Sequence, residues 1–321
     1  MKKNRQRAKI IFMGTPRFGA IILQKMAENN YFPELVITGS DKKRGRGQSL
    51  APCPVKLIAK QYGLLCKESD KIIELKTTFE KIKPDLVLSA AFGQIIPKEI
   101  LNISLGKFLN IHPSLLPKFR GPSPVQFTIL NNEAEAGTSI IEMTDRLDAG
   151  PIVMQESISL ANKKLTYQEL HELLAELSGN LLIKILPQWF QGKIKPVPQD
   201  NSKATYTRLL TKQDGKINWS KTAQFLERQI RAFYPWPGSY AFWPTKNKLI
   251  SLKILKAEAL DQKNQSGLKL GRVILLDNNL PAVQCSEGML IIKRLQMQNK
   301  KEMDSQDLIR GYRNFIGSIL K

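Results

Sequence analysis

Three residues have the types and spacing needed for one chemical step. Asn110 and His112 end the apolar run KFLNIH, and Asp148 follows the next strand-like run, in TDRLDAGPI. Residues two apart on a strand lie on the same face, so Asn110 and His112 are predicted to face one crevice. Gly150, two residues after Asp148, lets the backbone turn closely past the carboxylate. The three side chains are therefore candidates for a shared site.

An amide, an imidazole and a carboxylate together support acyl transfer without a covalent enzyme intermediate. The amide and the imidazole can donate hydrogen bonds to the oxyanion of a tetrahedral intermediate, each worth about 3 kcal/mol. The carboxylate can orient the imidazole for proton transfer. No serine, cysteine or lysine nucleophile is needed if the substrate brings its own amine. Taken singly, each residue also fits a structural role, as a strand-end histidine, a turn aspartate or a loop-capping asparagine.

The remaining reactive side chains indicate no second site. His171 lies in the helical run YQELHELLAELS with no partner motif and is interpreted as a structural residue. Cys53, Cys66 and Cys285 are scattered, odd in number and without CxxC spacing, so neither a disulfide framework nor a thiolate zinc site is predicted. This cysteine usage fits a reducing cytoplasm. No metal is expected, because the two histidines form no ligand motif.

The elements that position the three candidates alternate between short apolar runs and helix-like stretches, which is typical of a parallel sheet flanked by helices. In such a sheet, ligands bind at the carboxyl ends of the strands, where Asn110 and His112 are predicted to lie. Buried strands are predicted at KIIFMG, ELVITGS, DLVLSAAFG and KFLNIH, with helices at FGAIILQKMAEN, about 54–62, about 124–131 and about 166–190.

The domain organisation changes after residue 191. A catalytic domain is predicted over 1–191, and the polar, proline-containing stretch 192–206 is interpreted as a linker. Beyond it, a short amphipathic helix precedes β-like runs such as LISLKIL, GRVILL and GMLIIKRL, which favour a small antiparallel barrel over 207–321.

Positive charge is the strongest compositional signal. The net charge is +21, and 20 basic against nine acidic residues follow Tyr206, compared with 29 and 19 before it. The C-terminal third is therefore about twice as basic per residue. Such an excess attracts polyanions, of which nucleic acid is the commonest, although lysine-rich composition also serves solubility. No apolar run approaches the roughly 18 residues of a membrane span, so no membrane association is expected.

Six segments in this order resemble the folate-dependent formyltransferases, which use 10-formyltetrahydrofolate as the formyl donor. The segments are IFMGTPRFG, RGRGQSLAPCPVK, SAAFGQIIPKEIL, NIHPSLLPKFRGPSPVQ, TDRLDAGPI and INWSKTAQFLERQIRAFYPWPGSY. The resemblance covers essentially the whole chain and is greatest to the members that formylate initiator methionyl-tRNA. It implies a Rossmann-like mostly parallel sheet followed by a smaller C-terminal tRNA-binding β-barrel resembling an OB fold.

The resemblance also implies the reaction and its catalytic residues. The α-amino group of methionine, esterified to initiator tRNA, would attack the formyl carbon carried by the folate. Asn110, His112 and Asp148 would be the catalytic trio, with Asn110 and His112 holding the oxyanion and His112 with Asp148 managing protons. Pro113 stands where several members of the family carry glycine, so the backbone beside His112 is expected to be stiffer here.

Two segments would line the folate pocket by resemblance to the binding loops of the family. A flat pterin needs apolar walls and exposed backbone amides, which a proline-bounded loop and a glycine-containing strand end offer, although either segment also fits core packing. FMGTP lacks both GxGxxG and the P-loop lysine, so NAD or ATP binding is not expected. The folate-binding candidates are Ser114, Leu115, Leu116 and Pro117 in the first segment and Ala91, Phe92, Gly93, Gln94, Ile95 and Ile96 in the second.

The basic loop DKKRGRG is the candidate tRNA-binding segment. It carries Lys42, Lys43, Arg44 and Arg46, and arginine can fork onto phosphate or stack on a base. The resemblance implies that Arg46 reads the end of the acceptor stem. Without the resemblance, a solvated charge run would be the default interpretation.

Two rival functions remain open on the sequence. One is a formyltransferase or formyl-folate hydrolase with a small substrate such as a sugar nucleotide, which needs neither the basic excess nor the basic loop. The other is a nonenzymatic RNA-binding protein on a retired enzyme scaffold, against which the intact trio argues. The proposed chemistry needs no partner subunit, and a cytoplasmic monomer is expected.

Overall fold

The computed structural model describes residues 8–44, 49–103, 107–261 and 268–321. The chain divides into two compact units. The first comprises 1–124, 135–159 and 171–207, and the second comprises 125–134, 160–170 and 208–321. The second unit thus takes in two short internal segments besides the C-terminal residues, and the domain limits expected from the sequence stay a prediction.

The elements before residue 191 alternate as the apolar runs predict. The strands are β1 (Ile10–Gly14), β2 (Leu35–Thr38), β3 (Lys42–Arg44), β4 (Ser49–Ala51), β5 (Cys66–Glu68), β6 (Leu86–Ala90), β7 (Lys107–His112), β8 (Glu135–Glu142) and β9 (Ile152–Ser159). The helices are α1 (Arg17–Glu28), α2 (Pro54–Gln61), α3 (Lys76–Ile82), α4 (Lys98–Leu101), α5 (Pro124–Leu130) and α6 (Tyr167–Phe190).

Seven of these strands form one sheet within the described residues, in the order β5-β2-β1-β6-β7-β8-β9. The pairs from β5 to β7 are parallel, whereas β8 and β9 are antiparallel to their neighbours. The mostly parallel α/β sheet expected from the sequence is confirmed. Strand β7 pairs with β6 on the parallel side and with β8 on the antiparallel side, so its last residues lie between these two strands.

The core explains why the central strands read as continuous apolar runs. Alternate residues of β1 enter two different apolar clusters, Ile10 and Phe12 in one and Ile11 and Met13 in the other. Helices α1 and α6 cover the first cluster, and α3 and α4 contribute to the second. Both faces of β1 are therefore buried, which is why its sequence is a continuous apolar run.

The basic segment departs from the predicted loop. Lys42–Arg44 and Ser49–Ala51 pair as the antiparallel hairpin β3–β4, with Lys43 opposite Leu50. Apolar periodicity does not predict this hairpin, because β3 consists of charged residues and Leu50 in β4 is exposed.

The C-terminal residues build an antiparallel sheet. Two backbone hydrogen bonds, of 2.7 and 2.8 Å, join Phe242 to Lys321. In addition, Val273 N donates to Ser318 O at 2.9 Å. The last residues of the chain thus bridge the two edge strands and close the sheet, as the predicted barrel requires; the finer OB-fold assignment stays a prediction. The elements are α7 (Ala223–Phe233), β10 (Ser239–Pro244), β11 (Leu249–Leu260), β12 (Val273–Leu275), β13 (Pro281–Gln284), β14 (Met289–Met297), β15 (Glu302–Asp304) and α8 (Ser305–Gly311), with sheet order β10-β11-β14-β13-β12 and β15 beside β14.

None of the helices that the structure describes combines the length and the apolarity needed to cross a membrane.

Candidate active site

The structure brings the three predicted catalytic residues together. Asn110 and His112 lie at the carboxyl end of β7, and Asp148 lies in the connection between β8 and β9. Asn110 Nδ2 donates to Asp148 Oδ1 at 3.2 Å, and His112 Nδ1 lies 3.6 Å from Asp148 Oδ2. The carboxylate therefore stands between the amide and the imidazole. The sequence predicts that the three side chains share one location, and the structure places them together. Their catalytic roles stay a prediction.

The connection that carries Asp148 must double back to reach β7. Because β8 is antiparallel to β7, the chain leaves β8 with Met143 N bonded to Phe108 O at 2.7 Å. Asp148 then adopts φ +49°, a conformation uncommon for a residue with a side chain. Gly150 passes so close to β8 that a Cβ would lie 1.7 Å from Glu142 O. The close approach at Gly150 is thus to β8, and the predicted role of this glycine beside the Asp148 carboxylate stays a prediction.

The imidazole of His112 has both ring nitrogens directed at protein groups. Nε2 lies 3.0 Å from Phe119 O, and a carbonyl oxygen only accepts, so Nε2 carries a hydrogen. Nδ1 then faces the Asp148 carboxylate, and the two side chains are 6% and 8% exposed. A proton taken up by Nδ1 would lie opposite a negative charge. The carboxylate thus faces Nδ1 of the imidazole across 3.6 Å.

The amide of Asn110 is oriented by Asp148 for a second contact. An asparagine Nδ2 carries two hydrogens, and the bond to Asp148 uses one of them. Asn110 is half-buried, and the bond to Asp148 leaves its second N–H for another acceptor. An amide N–H of this kind can donate to an oxyanion.

The backbone of the loop after His112 completes the site. Gly121 N donates to Asp148 Oδ2 at 2.8 Å, so each carboxylate oxygen accepts from an N–H. Gly121 has φ +109°, and a Cβ there would lie 2.7 Å from Thr207 O. Only glycine fits this conformation without displacing its neighbour.

Gly121→Ala is expected to lower the free energy of unfolding by about 1–3 kcal/mol, because it adds steric overlap to an unfavourable φ. The loss appears as a lower midpoint in thermal unfolding. Gly63→Ala is the matched control, since Gly63 also has positive φ, +64°, but a methyl group added there would meet no described atom within 4 Å beyond its chain neighbours. Equal losses in the two variants would show that the contact with Thr207 carries no strain.

Hydrogen bonds hold the loop of the first predicted folate segment in place. Ser114 Oγ donates to Lys118 O at 2.7 Å, and Leu116 N donates to Ser139 Oγ at 3.0 Å. Gln155 Nε2 donates to Leu116 O at 2.8 Å. Ser114 and Leu116 are buried, whereas Leu115 and Pro117 are half-buried. Only the latter two therefore offer side-chain surface to a ligand.

The second predicted segment divides between core and surface. Strand β6 ends at Ala90, because Ala91 has φ +52° and Gly93 has φ +85°, so the predicted strand DLVLSAAFG is too long at its end. Phe92 and Ile96 belong to the core cluster that contains α3, and Ile95 is 89% exposed. Gln94 bridges a neighbouring loop, accepting from Ile72 N at 2.9 Å and donating to Ser69 O at 2.6 Å.

Ala91, Gly93 and Ile95 are thus the members of the second segment that remain available to a ligand. For Phe92, Ile96 and Gln94, the structure favours the packing role that the sequence left open.

A hydrogen bond from Lys56 holds Asp41, the first residue of the basic segment DKKRGRG. Lys56 on α2 bonds both Asp41, at 2.7 Å, and Glu68, and these two hydrogen bonds raise the pKa of Lys56. The backbone of Lys42, Lys43 and Arg44 forms β3, but their side chains and the whole of Arg46 lie outside what the structure describes. The structure consequently does not bring these four residues to the trio or separate them from it.

The residues set aside by the sequence behave as structural ones. His171 packs its ring against Phe18, with 5.6 Å between centroids, and burial lowers its pKa. All three cysteines are free. Within the described ranges, no group of three or more His, Cys, Asp and Glu side chains is arranged to hold a metal ion.

Sequence reasoning missed two residues behind the trio. Gln199 Nε2 donates to the backbone oxygens of Asp148, at 2.8 Å, and Gly150, at 2.7 Å. Arg120 donates to Gln199 Oε1 through Nη2 at 2.7 Å and is 2% exposed. Arg120 stands in the quoted run PKFRG, but Gln199 lies in a stretch without apolar periodicity, where a single sequence carries no signal for such a contact.

Two family models match the chain, "Formyl transferase" over residues 8–186 and "Formyl transferase, C-terminal domain" over residues 209–313. Among solved structures, an N-formyltransferase from Helicobacter canadensis, in complex with folinic acid and dTDP-3-aminofucose, has a TM-score of 0.66 at 19% identity and covers 91% of this chain and 100% of that one.

HypX from Aquifex aeolicus, in complex with tetrahydrofolic acid, has a TM-score of 0.61 at 15% identity and covers 97% of this chain and 48% of that one. This chain therefore spans about half the length of HypX, and at these identities both structures bear on the fold alone.

Sequence similarity is more specific. A methionyl-tRNA formyltransferase from Clostridium novyi (strain NT) is 36% identical over 320 residues, which is 98% of this chain and 100% of that protein. Together with the two matching models, this similarity shows that the chain belongs to the formyltransferase family, among the methionyl-tRNA formyltransferases.

Proposed function

We propose that the chain transfers the formyl group of 10-formyltetrahydrofolate to the amino group of methionine on initiator methionyl-tRNA, the product serving translation initiation. The observation that carries the proposal is the Asn110–Asp148–His112 arrangement, in which the bond to Asp148 uses one N–H of Asn110 and leaves the other for a substrate oxygen. The 36% identity to a methionyl-tRNA formyltransferase over nearly the whole of both chains supports the choice of acceptor.

In the proposed step, the neutral methionyl amine attacks the formyl carbon and forms the new N–C bond. The carbonyl electrons move onto oxygen, and the free N–H of Asn110 stabilises this oxyanion. When the intermediate collapses, the bond between the formyl carbon and folate N10 breaks. The amine loses its proton to the His112–Asp148 pair, and the same pair returns a proton to N10, so the side chains end as they began. Because His112 Nε2 is bonded to Phe119 O, the geometry favours Asn110 over His112 as the oxyanion donor.

An aminoacyl amine suits this step because its pKa is near or below about 8, so a useful fraction is neutral at pH 7. The enzyme then needs no nucleophile of its own. The folate would lie against the half-buried Leu115 and Pro117 and the exposed Ala91, Gly93 and Ile95. This smaller set replaces the ten predicted folate residues as the proposed contact surface.

The deciding assay incubates the full chain with 10-formyltetrahydrofolate and charged initiator tRNA. Formation of formylmethionyl ester is the expected result. Transfer only to a nucleotide sugar, or only to water, would instead establish the small-substrate alternative. Tight tRNA binding without any transfer would support the nonenzymatic alternative.

For tRNA recognition, we propose that Arg46, with Lys42, Lys43 and Arg44, contacts the acceptor end. Arg46→Ala is expected to weaken tRNA binding and to reduce the slope of log affinity against log salt by about 1, because one phosphate-directed cation is lost. Titrations between about 50 and 200 mM salt measure this slope. Arg17→Ala removes an exposed arginine charge elsewhere and is expected to leave the slope unchanged. Equal slopes for wild type and Arg46→Ala would contradict the assignment.

We also propose that the protein acts as a monomer in the cytoplasm. The contacts among Asn110, His112 and Asp148 come from one chain, so the proposed chemistry needs no second subunit. Light scattering of the purified protein measures the mass, and a dimer whose dissociation abolishes turnover would contradict the proposal.

A further inference from the structure

Residues 197–207, named here the strap, pack along the catalytic loops of the first unit. Val197 exchanges two backbone hydrogen bonds with Ile152, each 2.8 Å. Near its other end, Arg120 N donates to Thr205 O at 2.9 Å, and Thr207 N donates to Arg120 O at 2.7 Å. The strap is therefore paired by its backbone to both segments that flank the trio, the β9 side and the loop after His112.

One side chain of the strap reaches the backbone that carries the catalytic carboxylate. Gln199 is 8% exposed, and its Nε2 donates to both Asp148 O and Gly150 O. These two carbonyls flank the tight turn in which Asp148 adopts φ +49°. A forked donor across the turn holds both carbonyls at once, and this fixes the direction from which the Asp148 side chain enters the site.

The orientation of Gln199 is set in turn by a buried cation. Arg120 donates to Gln199 Oε1 through Nε at 3.1 Å and Nη2 at 2.7 Å, and it also donates to Asn201 Oδ1 at 2.8 Å. A guanidinium only donates, so the Gln199 oxygen must face Arg120 and its NH₂ must face the Asp148 turn.

We propose that Gln199, oriented by Arg120, is a positioning residue for Asp148 and through it for His112 and Asn110. The proposal rests on the proposed catalytic role of Asp148. It assigns a catalytic contribution to a stretch that the sequence presents as a linker. A misplacement of catalytic groups by about 1 Å can cost about 10²-fold in rate, so the contribution is measurable.

The Gln199→Glu variant tests whether Gln199 positions Asp148 or only holds the strap in place. A carboxylate still accepts from Arg120, so the strap keeps its buried partner. It cannot donate to Asp148 O or Gly150 O, and it sets an oxygen against both carbonyls. Asn201→Asp is the matched control, because it makes the same amide-to-carboxylate change beside the same Arg120 without a bond to the Asp148 turn.

Steady-state kinetics on the full chain with both substrates is the first measurement. We expect Gln199→Glu to lower kcat about 10- to 100-fold with KM values unchanged, and Asn201→Asp to change kcat by less than about twofold. An unchanged kcat in Gln199→Glu, or an equal loss in Asn201→Asp, would overturn the proposal. If Gln199→Glu fails to fold, Gln199→Asn replaces it, since its shorter amide keeps the chemistry but cannot span both carbonyls.

A second measurement distinguishes failure of this proposal from failure of the proposed function. The chain has two histidines, so the ring resonances of His112 and His171 can be followed by NMR and assigned with a His171→Gln variant. Gln199→Glu is expected to shift the His112 resonances and to leave His171 unchanged, whatever substrate the enzyme uses. An unshifted His112 would refute positioning. Shifted resonances in a protein without formyl transfer would refute only the proposed reaction.

Discussion

Asp148→Asn is expected to lower kcat by about 10³-fold or more, the largest effect of any single change in the site. The carboxylate accepts from Asn110 Nδ2 on one oxygen and from Gly121 N on the other. An amide in its place must turn its NH₂ group towards one of these two donors. The substitution also removes the negative charge opposite His112 Nδ1. Oxyanion stabilisation and proton uptake should therefore fail together, and single-turnover kinetics measures the loss.

Affinity for charged tRNA should survive Asp148→Asn, because the buried carboxylate acts on the reacting groups and not on the polyanion. Asp145→Asn is the matched control in the same connection, where an exposed aspartate pairs with Lys98 at 3.0 Å. Lys98 lowers the pKa of Asp145 through a side-chain hydrogen bond, but this pair does not touch the trio. A comparable loss in Asp145→Asn would mean that the connection as a whole, and not Asp148, limits turnover.

Asn110→Ala is expected to lower kcat by about 10²- to 10³-fold, the cost of one oxyanion donor. It removes the second amide N–H of Asn110, which is the proposed oxyanion donor, and leaves Asp148 Oδ1 without its partner. Because the donor acts most strongly on the charge that develops in the transition state, KM for either substrate should change little. Full kinetic analysis with varied folate and tRNA distinguishes the two parameters.

Asn102→Ala provides the comparison for Asn110→Ala, since Asn102 is an exposed asparagine just after α4. It should leave kcat within about twofold of the wild type. A rise in KM for the folate with unchanged kcat in Asn110→Ala would move Asn110 from the oxyanion to substrate binding.

Much of the catalytic unit follows from local patterns. The runs KIIFMG and KFLNIH are rich in apolar residues because both faces of their strands pack in the core, and such runs are typical of a parallel sheet. Asn110 and His112 are two residues apart on β7, so strand alternation alone places them on one face. The fold class and the shared location of these two residues were therefore predictable without coordinates.

Other features were not predictable, because they depend on contacts between residues far apart in sequence. Gln199 lies 51 positions from Asp148, and its role depends on two backbone carbonyls that no sequence pattern reveals. Phe92 and Ile96 turn into the core only because Ala91 and Gly93 bend the chain after β6. The C-terminal sheet closes through the final residues of the chain, which lie outside its named strands.

The sequence by itself determined the sheet, the shared strand face of Asn110 and His112 and the basic character of the chain, since these depend on residue type and on spacings of a few positions. Only the tertiary structure decided that Asp148 stands between Asn110 and His112, that His112 Nε2 is bonded to Phe119 O, and that a strap holds the Asp148 turn. The physical reason is that these arrangements are set by directional hydrogen bonds between segments that meet only after the chain has folded.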